Sequence, residues 1–255
     1  MNETEGYVKT FVHQQVGSIE FYHPQSNSLP GYLLEELARA INRAAHDPDI
    51  AVIIIRSAGE KTFCAGASFD ELMAIDNVEK GKKFFLGFAQ VINAMRKCPK
   101  LIIGRIQGKC VGGGVGLASS VDYCIATDKA EIKLSELAVG IGPFVVGPAV
   151  ERKIGTSAFS QLAIDAAMWR NADWARRRGL FAETHASTEE MDESIAKLAL
   201  SLSRSNPEAM TEMKKIFWRG TENWDLMLEE RAAISGRLVL SEFTRNAIQS
   251  FKKQA

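Results

Sequence analysis

The sequence predicts an α/β body followed by an all-helical tail. Short apolar runs rich in β-branched residues, "AVIIIRS" at 51–57 and "KLIIGRIQG" at 100–108, alternate with stretches whose apolar residues fall at helical spacing. Each run is followed by a small-residue loop that opens a helix, as in "FCAGASFDEL" and "KCVGGGVGLASS". Beyond Thr156 only helical patterns follow.

Taken in order, "YVKTFVHQQVGSIEFY" alternates and predicts a hairpin with Gly17 as its turn, leading to a loop from Pro24 to Pro30. Leu33, Leu34, Leu37, Ala40, Ile41 and Ala44 then recur at helical spacing between Tyr32 and Ala45. "AVIIIRS" reads as a buried strand, "GEKTFCAGASFDEL" as a loop entering a helix and "FFLGFAQVINAMRKC" as a helix. After the strand "KLIIGRIQG", the glycine cluster reads as a loop, "GLASSVD" as a short helix and "YCIATDKAEIKL" as a strand region. "SAFSQLAIDAAMWR", "NADWARRRG", "STEEMDESIAKLALSLSRS", "NPEAMTEMKKIFWRG" and the segment from Asn223 onward read as helices. We therefore expect an α/β core over residues 1–195 and a helical, oligomerising region over 196–255. Phe217, Trp218, Trp224, Met227, Leu228 and Leu238 are too much apolar surface for a detached tail and are expected to pack on a neighbour.

Composition excludes several classes of function. The chain has 31 Lys plus Arg against 31 Asp plus Glu, so no net field recruits nucleic acid or acidic membranes. "KKFFLGF" and "ARRRG" are short basic clusters in a neutral chain, too little for RNA binding. Cys64, Cys98, Cys110 and Cys124 form no CxxC pair and lie near no histidine at ligand spacing, which argues against a metal site and a disulfide framework and for a reducing compartment. The N-terminal residues carry acids and no apolar core, and no apolar run is long enough to cross a bilayer. A cytoplasmic protein is expected.

The segment "CVGGGVGLASSVDYCIAT" places four glycines in the five positions 112–116. Such a cluster marks tight geometry or a close approach. Neither G-x-x-x-x-G-K-[ST] nor G-x-G-x-x-G fits Gly108, Gly112, Gly113, Gly114 and Gly116, so a phosphate cradle fails on spacing. What remains is close packing of helix on strand, or a loop whose backbone N–H groups face developing negative charge. "FCAGAS" at 63–68 is a second loop of this kind, and two loops can direct two donors at one oxygen.

"FCAGASFDEL", then "KLIIGRIQGKCVGGGVGLASSVDYCIAT" and "LSELAVGIGP", resembles the crotonase superfamily, the enoyl-CoA hydratase and isomerase family. "HPQSNSLPGYLLEELARAI" and "ADWARRRGLFAET" are similar to further segments of it, and the likeness runs over residues 7–252. The resemblance implies a crotonase-like spiral of repeated ββα units with a C-terminal α-helical region. It implies an acyl-CoA thioester substrate whose carbonyl oxygen sits between the N–H groups of Ala67 and Gly113, a Cβ at the glycines standing in its way. Ala65, Ala67, Ser68, Phe69, Asp70, Gly112 and Phe144 are the implied CoA and substrate contacts. No metal or separate cofactor is implied, because coenzyme A is part of the substrate. Homotrimers or dimers of trimers are implied, with Phe251, Lys252 or Lys253 reaching a CoA of the same or a neighbouring subunit.

Hydratases of this family carry two glutamates, and the matching positions here are Gly116 and Glu136. One carboxylate is missing. Glu136 ends an apolar stretch, where desolvation raises a carboxyl pKa toward neutrality. A single carboxylate suits a proton shuttle between C2 and C4, which favours double-bond isomerisation. Hydration by Glu136, alone or helped by Asp122 or Glu151, is the alternative, and a non-catalytic acyl-CoA-binding protein is a third reading that Glu136 argues against. "PFVVGP" brings Phe144 and Val145 where the family has small residues, which is expected to narrow the acyl pocket.

Overall fold

The computed structural model describes residues 6–254, with side chains described through Ser250. β1 (Tyr7–His13) and β2 (Val16–Tyr22) form an antiparallel hairpin. Its turn is Gln14–Gln15, with φ of 49° and 63°, a two-residue geometry that suits the twist of the flanking strands. Gly17 is therefore not the turn. It lies inside β2 opposite Val12, where a Cβ would press on Ile50.

From β2 the first sheet continues in parallel through β3 (Val52–Ser57), β5 (Ile102–Ile106), β7 (Tyr123–Thr127) and β10 (Glu183–His185), in the order β1-β2-β3-β5-β7-β10. A second sheet, in the order β4-β6-β8-β9, takes β4 (Thr62–Cys64), β6 (Lys109–Val111), β8 (Glu131–Lys133) and β9 (Arg170–Asn171). The chain gives one strand to each sheet and then a helix. β3 and β4 lead to α2 (Phe69–Ala74) and α3 (Val78–Lys97), β5 and β6 to α4 (Gly113–Ser120), and β7 and β8 to α5 (Gly147–Ile164). This is the spiral of ββα units.

Both faces of the first sheet are covered. Ile53 and Ile55 enter the main core with α1 (Gly31–His46), while Val52 and Ile54 pack with Met191, Ile195 and Ala199 of α7 (Thr188–Ser203). A parallel strand buried on both faces has no reason to alternate, hence the unbroken run "VIII". The line between residues 195 and 196 falls inside α7, whose buried face belongs to this sheet, so that division cuts a single packed element.

Two further expectations change. The stretch beyond Thr156 is not helical throughout, since β9 and β10 lie in it. At two and three residues they are too short to show a period of two. Gly113, Gly114 and Gly116 form the start of a helix rather than a loop. Glycine disfavours a helix by up to about 1 kcal/mol per residue, but all eight residues of α4 are buried and tertiary packing decides.

α6 (Ala172–Arg177), α8 (Pro207–Phe217), α9 (Trp224–Leu238) and α10 (Glu242–Gln254) complete the chain. Trp218, Trp224 and Leu228 are buried in this chain's own core, which corrects the expectation that they await a neighbour; Phe217 stays exposed. α9 packs on α3 at Gly81 and Gly236, where a Cβ on Gly81 would sit 2.5 Å from the Gly236 carbonyl oxygen. Backbone contact there fixes the position of α3. The side chains of Phe251, Lys252 and Lys253 lie outside the described residues. Among the described residues no helix is long and apolar enough to cross a membrane, and no cluster of three potential metal ligands occurs.

Candidate active site

Three loops converge beside α4. The loop before α1 pairs with the one after β4, the Leu29 N–H donating to the Gly66 carbonyl at 2.7 Å and the Ala65 N–H to the Ser26 carbonyl at 3.2 Å. Glu71 adds a clamp by accepting the Gly31 N–H at 2.6 Å, at the start of α1. Gly66 has φ of 86°, and its N–H donates to the buried Cys64 Sγ at 3.4 Å, which holds the turn that carries Ala67. A Cβ on Gly66 would stand 3.2 Å from the Gly113 nitrogen, so the two loops touch. Among the described residues neither the Ala67 N–H nor the Gly113 N–H donates to a protein acceptor. The Gly113 donor opens α4, where helical geometry itself leaves N–H groups free.

The glycines answer to protein atoms. Gly112, with φ of 50°, lies under Glu136, whose Oε1 is 2.9 Å from the place of a Cβ. A Cβ on Gly113 would strike the Phe88 ring at 2.2 Å, one on Gly114 the Cys64 carbonyl oxygen at 2.5 Å, and one on Gly116 the Val146 Cγ1 at 2.6 Å. The expectation that a substrate carbonyl empties these positions is corrected. Side chains and backbone of the protein fill the space, and the Gly113 N–H is left without a protein acceptor among the described residues.

Glu136 sits in a tight turn. Its carbonyl accepts the Ile141 N–H at 2.9 Å, and Gly140 and Gly142 take positive φ on either side. The residue as a whole is half-buried, and its Oε2 is shut from solvent and without a hydrogen-bond partner. Burial pushes this carboxyl up from 4.5 to about 7, against the opposing pull of its own backbone N–H. The group is thereby suited to both taking and returning a proton near neutral pH.

Glu136 borders a narrow cavity of about 60 Å³. Ala65, Gly66, Ala67, Gly112 and Gly113 form one end, and Phe69, Phe85, Phe88, Phe144, Val145 and Val146 supply most of the apolar wall. Ser135 and Ser235 are the other polar residues on it. Ala65, Ala67, Phe69, Gly112, Gly113, Glu136 and Phe144 are thus brought together as the sequence suggested. Ser68 and Asp70 are not on this wall. Ser68 caps α2 by accepting the Glu71 N–H at 3.4 Å, and Asp70 accepts from Gln25 at 2.7 Å. Phe88 and Val146 were not singled out from sequence, and Cys64 only as an unpaired cysteine, although Val146 directly follows the noted Phe144 and Val145.

Neither candidate helper carboxylate reaches the cavity. Glu151 accepts from Thr156 at 2.7 Å in an exposed setting on α5. Asp122 is buried against Lys214 at 2.9 Å, and it also accepts the Ile102 N–H at 2.8 Å and the Trp218 Nε1–H at 3.1 Å. Breaking a buried pair leaves an uncompensated charge, so Asp122→Ala is expected to cost about 3 kcal/mol or more in urea unfolding. Turnover per folded molecule should stay near normal. A stable but inactive Asp122→Ala protein would give Asp122 a chemical role instead.

A sequence profile described as Enoyl-CoA hydratase/isomerase matches residues 12–252. The chain belongs to that family. Among this member's relatives, the short-chain-enoyl-CoA hydratase of Clostridium acetobutylicum is 28% identical over 227 residues, covering 88% of this chain and 86% of that one. The peroxisomal Delta(3,5)-Delta(2,4)-dienoyl-CoA isomerase of Arabidopsis thaliana is 27% identical, over 73% of this chain and 71% of that one. The crystal structure of enoyl-CoA hydratase from Bacillus halodurans superposes with a TM-score of 0.88 at 21% identity, covering 96% of this chain and 99% of that one, which establishes the shared fold. The family thus includes proteins named for both water addition and double-bond migration.

Proposed function

We propose that this family member is an enoyl-CoA isomerase that moves a double bond within an acyl-CoA thioester. Ala67 and Gly113 direct their N–H groups at the thioester oxygen, and Glu136 takes a proton from C2 of a 3-enoyl thioester. The π electrons shift to give a dienolate whose charge rests on the oxygen between the two donors, and Glu136 returns the proton at C4. A fixed donor of this kind lowers a barrier by roughly 3 kcal/mol. Coenzyme A arrives with the substrate, and the reaction as written needs no resident cofactor.

One observation carries the reading. Glu136 is the one carboxylate on the cavity wall among the described residues, and the space beside Gly116 is taken by Val146. Hydration by Glu136 alone is the second reading, favoured by the hydratase names among the relatives. Product analysis separates them: purified protein given 2-enoyl-CoA and 3-enoyl-CoA in separate reactions should move the double bond of the second and add little water to the first. Water addition as the faster reaction would overturn the isomerase reading.

The same reading extends to a cytoplasmic homotrimer or dimer of trimers. Its support is the apolar surface left exposed at Ile164, Met168, Met213, Ile216 and Phe217. Sedimentation at micromolar concentration should report a multiple of three chains, and a monomer there would count against the assembly.

A further inference from the structure

We infer that Val146 keeps water from the carboxylate and thereby sets this site toward isomerisation, an inference that rests on the isomerase reading above. The Gly116 N–H donates to the Gly112 carbonyl at 3.2 Å, so the glycine that caps α4 and the one inside its first turn lie one helical turn apart. Glu136 covers the first of them, and Val146 covers the second. The carboxylate and the valine thus lie over successive glycines and line the same cavity. Val146 is 5% exposed and forms part of the cavity wall.

A buried water needs two to four polar partners to be held in place. Beside Glu136 in the direction of Gly116 it would meet the methyl groups of Val146, and Gly116 contributes no side chain. Phe88, Phe144 and Val145 continue the apolar wall. On that side a water could lean on Glu136, but Val146 and Gly116 offer no second side-chain group to fix its oxygen against C3. Proton transfer between C2 and C4 needs no such water.

Opening or wetting this wall should admit hydration. In that reaction the water oxygen bonds to C3, the C2=C3 π pair shifts to C1–C2 while the carbonyl π pair moves onto the thioester oxygen, and the water proton passes through Glu136 to C2 as the carbonyl re-forms. Val146→Thr keeps the shape of the side chain and supplies a hydroxyl as the second anchor. Val146→Ala makes room without supplying one.

The test gives wild type, Val146→Thr and Val146→Ala crotonyl-CoA and 3-hexenoyl-CoA in ¹⁸O water, with folding followed by circular dichroism. Labelled 3-hydroxyacyl-CoA and migrated double bond are counted in each. The ratio of hydration to isomerisation is expected to rise at least about tenfold in Val146→Thr, and less in Val146→Ala, following the usual worth of a positioned acid–base partner. An unchanged ratio in folded Val146→Thr, with wild type still isomerising, overturns the inference and leaves the isomerase reading standing. A wild type that hydrates faster than it isomerises, or does neither, overturns the isomerase reading itself. A crystal structure of the wild-type protein supplies a check independent of the variants: an ordered water between Glu136 and Val146 would overturn the inference.

Discussion

Glu136→Gln is expected to lower kcat by about a thousandfold while acyl-CoA affinity stays within a few-fold, because in the proposed reaction the carboxylate handles protons and the backbone donors hold the thioester. No other carboxylate on the cavity wall among the described residues can substitute for it. With the group pushed up to about 7, kcat/KM of wild type should climb as pH rises from 6 to 8 and level off once Glu136 is ionised. The same shift acts on stability with a definite sign. Between pH 4.5 and about 7 the folded chain holds a proton that the unfolded chain has released, so stability falls as pH rises through that window. The loss is on the order of 3 kcal/mol by pH 8, and Glu136→Gln does not suffer it. Urea midpoints of the two proteins should therefore diverge in favour of the variant between pH 5 and pH 8. Near-normal turnover in Glu136→Gln would remove Glu136 from the chemistry, and parallel midpoints would show that its carboxylate is better solvated than its burial implies.

That expected loss comes from the apolar wall around the carboxylate. A carboxylate shut among Phe88, Phe144 and Val146 is held in a state it would not choose when charged, and the cost is met by the packed core around it. In the proposed reaction, a thioester enolate forming beside Ala67 and Gly113 would meet donors already fixed by neighbouring structure. Cys64 illustrates the economy of the arrangement. Its thiol accepts the Gly66 N–H, while its backbone carbonyl lies against Gly114. One buried residue thus keeps the two donor loops in register.

Much of this was legible in the sequence wherever one local pattern decided the outcome. The helix α1 followed from Leu33, Leu34, Leu37 and Ile41, whose spacing matches its buried face. β3 followed from an apolar run too short for a helix and too continuous for a half-exposed strand. Glu136, Ala67 and Gly113 were named through the family resemblance that the motifs carry, and the structure brings the three to one cavity wall. The glycines show where such reading stops. Their number suggested a close approach, but the approaching atoms belong to Phe88, Cys64 and Val146, which sequence distance hides. Gln14 and Gln15 take left-handed conformations that their residue type does not advertise, so Gly17 drew the turn assignment instead.

Gly113 offers the other large effect, and Phe88 dictates how it must be measured. Any residue with a Cβ at 113 would come within 2.2 Å of the Phe88 ring, so Gly113→Pro alone confounds loss of a donor with a collision. The comparison that isolates the donor is Gly113→Pro against Gly113→Ala, each made together with Phe88→Leu. Both pairs add a Cβ and both relieve the ring. The first position of α4 tolerates proline, since its N–H has no partner within the helix. Only the proline protein lacks the N–H, and its kcat is expected to fall about a hundredfold below that of the alanine protein. The carbonyl stretch of a bound enoyl thioester reads the same interaction without turnover, and should move to higher frequency when the donor is gone. Equal turnover and equal carbonyl frequencies in the two folded proteins would mean that the thioester oxygen does not meet Gly113. The turn that carries Ala67 would then have to hold that oxygen by itself.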